Sequence, residues 1–125
     1  MKRVLTILGL AAFAFSAAFA QDFVTADALH DTKKLPEELA LLKQSYNPSD
    51  PQAAVVYRML RSMQQIAVDM PAGKGKDKIA KLDEAIEFGK PLIDAAKGSA
   101  RDRAKVIYWY SVSMSQKGSA KGVLN

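Results

Sequence analysis

Apolar residues recur at the spacing of an amphipathic helix along most of this 125-residue chain, and this periodicity limits the fold more than any other feature. No stretch shows the strict alternation of apolar and polar residues that a half-buried strand requires. The periodic stretches are rich in alanine, leucine, lysine, methionine, glutamate and glutamine, which all favour helix. Because amphipathic helices must cover their apolar sides, we predict an all-α protein of about four helices packed in antiparallel hairpins.

The first predicted helix covers about 25–46, and Pro36 should interrupt it because proline lacks a backbone donor. The second should begin with Asp50 as its N-cap and Pro51 in the first helical position. Its wide apolar stripe predicts contact with two neighbouring helices. The stripe consists of Val55, Val56, Met59, Leu60, Met63, Ile66, Ala67 and Met70.

The third predicted helix starts at Asp77, after a flexible linker at 73–76. Pro91 should kink it or restart it, because the proline ring clashes with the carbonyl four residues back. Small residues such as Gly89 on its apolar side should let another helix come close. Gly98 is expected to supply the left-handed position at its C-terminal end.

The fourth predicted helix opens with Ser99 as N-cap and ends at Lys117, with Ser119 capping a further helix. Its consecutive aromatic residues 108–110 fan over about 200° of the helix circumference, so they cannot all face one interface. Large groups on two sides with small residues between them are typical of an inner helix in a stacked array. Residues on one shared face of this helix are Ala100, Ala104, Ile107, Ser111 and Met114.

The first 20 residues carry the three parts of a secretory signal peptide. Lys2 and Arg3 form the positive region, an apolar run follows from Val4 to about Phe15, and Ala18–Ala20 is a cleavage site of the small-x-small type. An uncleaved membrane anchor is the alternative, but charged stop-transfer flanks are missing. We therefore predict cleavage near residue 20, a periplasmic or secreted product without a stable membrane anchor, and a single helical domain at 21–125.

The chain contains 0 cysteines, which excludes disulfides, thiolate metal sites and a lipoprotein anchor. Its charge is uneven, since 70–125 carry 11 basic and 6 acidic residues whereas 21–69 carry 5 and 7. A solvated basic face is the favoured interpretation, and an acidic partner or an anionic membrane surface is the alternative. No nucleic-acid partner is predicted.

No constellation in the sequence predicts a catalytic site, a cofactor or a metal. The segment 73–76 resembles a phosphate-binding loop only superficially, because no strand precedes it and Asp77 follows it. Asp27, His30 and Asp31 share a helical face and could weakly hold a divalent metal, but we expect His30 to be an exposed residue.

Carboxylate pairs at Asp83, Glu84 and Glu87 stand among lysines and are expected to form surface ion pairs rather than an acid/base site. Nucleophilic catalysis would need a serine with a base, and no serine is linked by spacing to the sole histidine. We therefore predict that the protein is not an enzyme.

Three segments resemble exported bacterial tetratricopeptide-repeat-like proteins, including the T component of TRAP transporters. They are Tyr108–Met114 followed by Gly118–Asn125, the stretch from Leu82 to Lys90, and an earlier helix with Tyr57, Arg58 and Arg61. The resemblance implies antiparallel helix pairs stacked into a short superhelix with a groove for a protein partner or a small solute. It also leaves open a domain that is truncated at its C-terminus.

The candidate contact residues that follow from the sequence and the resemblance are Tyr57, Arg61, Tyr108, Trp109 and Tyr110. Core packing is the alternative for each ring, although at least one of the three consecutive rings must leave the core. We expect a module that binds a protein partner in the cell envelope or associates with itself. The second hypothesis is a carrier or TRAP-transporter accessory protein whose groove holds a small organic solute.

Overall fold

The computed structural model describes residues 23–124, and this part of the chain is all-α, as the sequence predicts. The predicted signal peptide lies outside the described residues. No strand occurs in this range, and none of its helices is both long enough and apolar enough to cross a membrane. The helices are α1 (23–31), α2 (Leu35–Ser45), α3 (Ala53–Val68), α4 (Gly75–Gly89), α5 (Leu92–Ala95) and α6 (Ala100–Leu124), with a short 3-10 helix at Ala72–Lys74.

Helix α3 is the centre of the fold, because its wide apolar stripe packs against α2, α4 and α6. The sequence predicts two neighbouring helices for this stripe, and the structure has three. Val55, Val56, Leu60 and Ala67 have no exposed surface at all. Full burial of each large side chain among them contributes about 1.5 to 3 kcal/mol.

Helices α3, α4 and α6 all contact one another, with α4 antiparallel to both of the others. Gly89 lies close to both α3 and α6, as the sequence predicts for a small residue on the apolar side of α4. A Cβ atom built on Gly89 would stand 2.9 Å from Leu60 Cδ2 and 3.2 Å from Tyr110 Cδ2. A larger residue would therefore push α4 away from its two neighbours.

The α1–α2 break lies just before Pro36, which occupies the first turn of α2. The reversal passes through Lys33, whose φ of 59° is in the left-handed region. Helix α2 then runs antiparallel to α3, and the Ser62 hydroxyl donates to the carbonyl of Leu35 over 3.3 Å. The predicted interruption at Pro91 is also confirmed, because α4 ends at Gly89 and α5 begins at Leu92.

The predicted start of the second helix is wrong. Helix α3 begins at Ala53, and Asp50 does not cap it but lies 3.2 Å from the Lys97 ammonium. The backbone of Lys97 provides hydrogen bonds at the N-terminal end of α3 instead. Its N–H donates to the Pro51 carbonyl, and its carbonyl accepts from the Ala53 N–H. Gly98 follows with a φ of 147°, a conformation that favours glycine.

Two other predicted boundaries are also wrong. The segment 73–76 is not simply a linker, because the 3-10 helix runs into α4 at Gly75 rather than at Asp77. Helix α6 does not end at Lys117, and Ser119 caps no further helix, since α6 continues to Leu124. Its start is as predicted, with Ser99 Oγ accepting the Asp102 N–H over 3.1 Å.

Candidate interaction surface

One side of α6 faces outward and carries apolar side chains that nothing in the described chain covers. Ile107, Tyr108 and Met114 are 49%, 58% and 50% exposed, and their grouping on one side of a helix is more informative than the exposure of any one of them. At about 100° per residue they lie with small residues inside about 120° of the helix circumference. This surface, called the α6 face below, comprises Ala104, Ile107, Tyr108, Ser111, Met114, Ser115, Gly118 and Gly122.

The α6 face has the shape of a shallow trough. Ile107 and Met114 lie along one edge and Tyr108 lies on the other, while small residues occupy the middle. Cβ atoms built on Gly118 and Gly122 would meet nothing within 4 Å, so no contact in the described chain requires glycine there. Each glycine nevertheless lowers helix stability by up to about 1 kcal/mol relative to alanine.

The opposite side of α6 faces α3 and α4. Val106 and Ser113 are fully or almost fully buried there, and the Ser113 hydroxyl donates to the Trp109 carbonyl over 2.9 Å. Trp109 and Tyr110 are half-buried and pack against the core. Of the three consecutive rings, Tyr108 alone points outward. Its ring still contacts that of Trp109 edge to face, with the two ring centroids 5.0 Å apart.

The other two candidate residues lie on α3. Tyr57 is only 5% exposed and belongs to the core. Its ring lies between two cations, with Arg58 Cζ at 4.7 Å and Lys105 Nζ at 4.8 Å from the centroid. Arg61 binds the carboxylate of Asp27 instead of facing solvent. The structure therefore does not bring the five predicted residues together on one surface.

Positive charge surrounds the α6 face. Arg101 and Arg103 are exposed near its N-terminal end and Lys121 near its C-terminal end, and none of the three forms an ion pair with the residues described. Asp102 is the only acidic residue in α6. It lies on the inner side of the helix, close enough to Arg58 for its negative charge to help raise the pKa of that guanidinium. The outward side of this helix consequently carries no negative charge.

A cleft of about 270 Å³ continues this surface between α4 and α6. Ile86 and Met114 supply its apolar lining and Lys117 and Lys121 its charges, with Gly118 between them. Lys117 is paired with Asp83, whereas Lys121 is not paired within the described chain. The cleft can therefore accept an apolar side chain that has a carboxylate nearby.

A partly buried ion-pair network joins α1, α2 and α3, and sequence reasoning did not predict it. Arg58 donates from Nε and Nη2 to the two carboxylate oxygens of Asp27 over 2.9 and 3.1 Å. Arg61 Nη2 donates to Asp27 Oδ1 over 3.1 Å and lies 3.5 Å from Glu38 Oε1. Glu38 is completely buried, and its Oε2 lies 2.9 Å from His30 Nδ1.

Burial and charge act differently on the two carboxylates. Burial raises the pKa of Glu38, and the charges of His30 and Arg61 only partly offset this effect. At Asp27 burial also acts to raise the pKa, but hydrogen bonds and charge from Arg58 and then Arg61 outweigh it, and the pKa is lowered. The pKa of Arg58 is raised, since its bond to Asp27 and nearby charges outweigh burial. The network thus connects helices α1, α2 and α3 and has a structural role.

The network also corrects the interpretation of His30 as an exposed residue. Its side chain is 20% exposed, and Glu38 orients one ring nitrogen. Asp27 is held by two arginines, so it is not available to a metal. No group of three or more potential metal-binding side chains occurs in 23–124.

Asp83 and Glu84, two of the three α4 carboxylates that the sequence predicts in surface ion pairs, pair with lysines, whereas Glu87 does not within the described chain. Lys81 Nζ lies 3.2 Å from Glu84 Oε2, and Asp83 pairs with Lys117 of α6 rather than with a lysine of its own helix.

A second concave region lies at the other end of the molecule, where the α2–α3 loop meets the α4–α5 break. It has a volume of about 610 Å³ and is mostly apolar. The rings of Tyr46 and Phe88 meet edge to face in its wall, with centroids 5.3 Å apart. Its remaining lining residues include Pro48, Pro51, Glu87, Pro91, Leu92 and Lys97.

Compared with protein-family models, with curated proteins and with solved structures, the chain matches none of them.

Proposed function

We propose that this chain is an exported, non-enzymatic helical module of the tetratricopeptide-repeat-like kind that binds a helix of another protein along the α6 face. One observation carries the proposal: Ile107, Tyr108 and Met114 each expose about half of their surface on the same side of a helix whose other side is packed. Contiguous exposed apolar surface of this kind marks interaction sites.

The small residues explain why the partner element is a helix. Where Gly118 and Gly122 stand one turn apart, the α6 backbone is open to solvent and a second helix can approach it closely. The large residues on the two edges of the trough then pack against the sides of that helix. Two glycines that weaken α6 without serving contacts in the described chain are accounted for by such a neighbour.

The titratable cluster at Asp27 and Glu38 is used in joining helices, and it does not line either concave region. The signal-peptide pattern of the first 20 residues supports a site of action in the cell envelope or outside the cell.

Site-specific photo-crosslinking in the producing bacterium tests the proposal. A crosslinking amino acid replaces Ser111 at the centre of the α6 face, or the exposed Gln44 of α2 as a matched control. We expect Ser111 to capture a discrete partner, and the crosslinked peptide of that partner to be an amphipathic helical segment. Gln44 should not capture it.

A second variant shows whether crosslinking at Ser111 reflects specific binding or random collision. Gly118→Leu fills the middle of the trough, and its Cβ atom would meet nothing within 4 Å, so the fold should persist while capture at Ser111 is lost. Unchanged capture in Gly118→Leu, or equal capture from Ser111 and Gln44, would contradict the proposal.

The second candidate function, binding of a small organic solute, is favoured by the 610 Å³ region with Tyr46 and Phe88 in its wall. Its size is within the range of small-molecule sites. A thermal-shift screen of organic acids and amphiphiles, with Phe88→Ala as the site variant, tests it. A ligand should raise the melting temperature of the chain but not that of the variant.

A further inference from the structure

We infer that the element bound by the α6 face is an acidic amphipathic helix of a different protein. This inference rests on the proposed function and adds the chemistry of the partner. It follows from the charges around the face, from the cleft beside it, and from what a second copy of this chain would bring to the same surface.

The charge pattern calls for a partner with negative side chains at both ends. Arg101 and Arg103 lie near the N-terminal end of the face, and Lys121 lies near the C-terminal end. From residue 101 to residue 121 the helix rises about 30 Å, so the two positive groups are about six turns apart. An aligned helix of about 20 residues with glutamate or aspartate near each end would satisfy both groups.

The cleft between α4 and α6 adds a specific position to this pattern. Its lining combines the apolar Ile86 and Met114 with two ammonium groups and includes no carboxylate. An apolar side chain of the partner that enters the cleft would bring a carboxylate one turn away within reach of Lys121. The cleft would then fix the register of the bound helix along α6.

A second copy of this chain is a poor occupant on the same grounds. If two α6 helices met antiparallel with Ser111 at the centre, Arg101 of each copy would stand opposite Lys121 of the other. A parallel arrangement would place each basic residue beside its own counterpart. Either pairing brings like charges together at both ends, which disfavours association.

An anionic membrane shares the negative charge but not the shape. Membrane-binding helices present a broad row of large apolar residues. The middle of the α6 face is instead formed by Ser111, Ser115 and two glycines, which would leave hydroxyl groups and open backbone in contact with lipid. A second helix fits this narrow trough better than a lipid surface does.

The test uses the purified chain and three synthetic stapled helices of about 22 residues, long enough to span the face. All three share one seam of leucine and alanine, and their flanking positions are glutamate, glutamine or lysine. Fluorescence anisotropy gives the three affinities at low and at high salt. We expect the glutamate helix to bind at least about tenfold more tightly than the glutamine helix and to lose this advantage at high salt.

Charge reversal supplies the matched control. In a variant with Arg101→Glu, Arg103→Glu and Lys121→Glu the order of affinity should reverse, so that the lysine helix binds best. These three side chains are exposed and form no ion pair in the described chain, so circular dichroism should show an unchanged fold. Equal affinity for all three helices, each abolished by Gly118→Leu, would overturn the acidic partner and leave the proposed function standing.

Two other outcomes would overturn the inference in favour of another occupant. Sedimentation showing a dimer that Gly118→Leu dissociates would identify a second copy. Co-sedimentation with phosphatidylglycerol vesicles that the charge-reversal variant abolishes would identify a membrane. Failure of all three helices to bind, without any dimer or vesicle binding, would overturn both the inference and the proposed function.

Discussion

Glu38 is a completely buried carboxylate whose pKa lies above the ordinary value for glutamate because burial disfavours its charge. The folded state therefore holds the proton more tightly than the unfolded state does. The stability that Glu38 contributes is fully present below its unfolded pKa and is lost as the pH rises through the folded pKa. Glutamine does not titrate, so this loss should be absent in Glu38→Gln. The free energy of unfolding of the variant, minus that of the original chain, should therefore increase as the pH rises.

Urea unfolding at several pH values between about 4 and about 7 measures this difference. Glu37→Gln is the matched control, because Glu37 is the exposed neighbour in the same first turn of α2. The control makes the same acid-to-amide change without touching the network, so it reports the effect of the substitution alone. A Glu38→Gln difference that is also constant with pH would show that burial does not govern the carboxyl group.

Asp27 behaves in the opposite way, since its two arginine partners lower its pKa. Its contribution to stability is present above the unfolded pKa and is lost as the pH falls through the lowered folded pKa. Asp27→Asn should reduce the free energy of unfolding at neutral pH by about 1 kcal/mol, because the side chain is 42% exposed and solvent screens the ion pairs. Asp31→Asn, an exposed change on the same helix, should alter it by less.

Urea unfolding of both variants at neutral and acidic pH measures the effect, and the Asp27→Asn deficit should shrink in acid. A deficit that persists unchanged below the pKa of Asp27 would mean that the amide disturbs packing rather than charge. The two carboxylates of the α1–α2–α3 network thus change the free energy of unfolding with opposite dependence on pH.

Glycines on α4 and α6 should respond in opposite ways to the same change. Gly118→Ala adds a methyl group in open space and should raise the free energy of unfolding by up to about 1 kcal/mol. Gly89→Ala places its methyl group 2.9 Å from Leu60 Cδ2, on a side chain with no exposed surface, and should lower it by about 1 to 3 kcal/mol. Thermal and urea unfolding of the two variants check both signs. If Gly118→Ala destabilised the chain as much as Gly89→Ala, α6 would be packed on its outward side.

The elements show how much of the fold follows from local sequence. The helices were predictable because their apolar periodicity, Pro36, Pro91 and the Ser99 cap are all local features. The start of α3 was not predictable, because the backbone of Lys97 holds it from far along the chain. Likewise α6 continues through Gly118 because α4 supports it, through pairs such as Asp83 with Lys117. Tertiary contacts overrode the local signals at both places.

The candidate site was predictable only in part for the same reason. Tyr108 could be expected on the surface, since three consecutive rings cannot share one side of a helix. The ion-pair network could not, because Arg58 and Arg61 meet Asp27 across 31 and 34 residues of chain. A signal that could have been used is the spacing of Gly118 and Gly122, one turn apart, on the same side of the helix as Ser111 and Ser115.

On the scale of the whole molecule, stability and binding should depend on different sides of α6. Ile107 and Met114 are about half exposed, so the double variant Ile107→Gln, Met114→Gln should change the free energy of unfolding by less than about 1 kcal/mol. Leu60→Ala, in the centre of the core, should lower it by about 2 to 5 kcal/mol. Urea unfolding measures both values.

The same two variants separate the surface from the core in a binding measurement. The surface variant should bind a hydrophobic dye less and lose crosslinking at Ser111 while keeping its melting temperature, because it removes apolar area that the fold does not need. Leu60→Ala should lower the melting temperature and yet retain crosslinking below that temperature, since the α6 face itself is unchanged. If the melting temperature of the surface variant were instead as low as that of Leu60→Ala, Ile107 and Met114 would belong to the core of this chain. The outward side of α6 would then not be available to bind a partner.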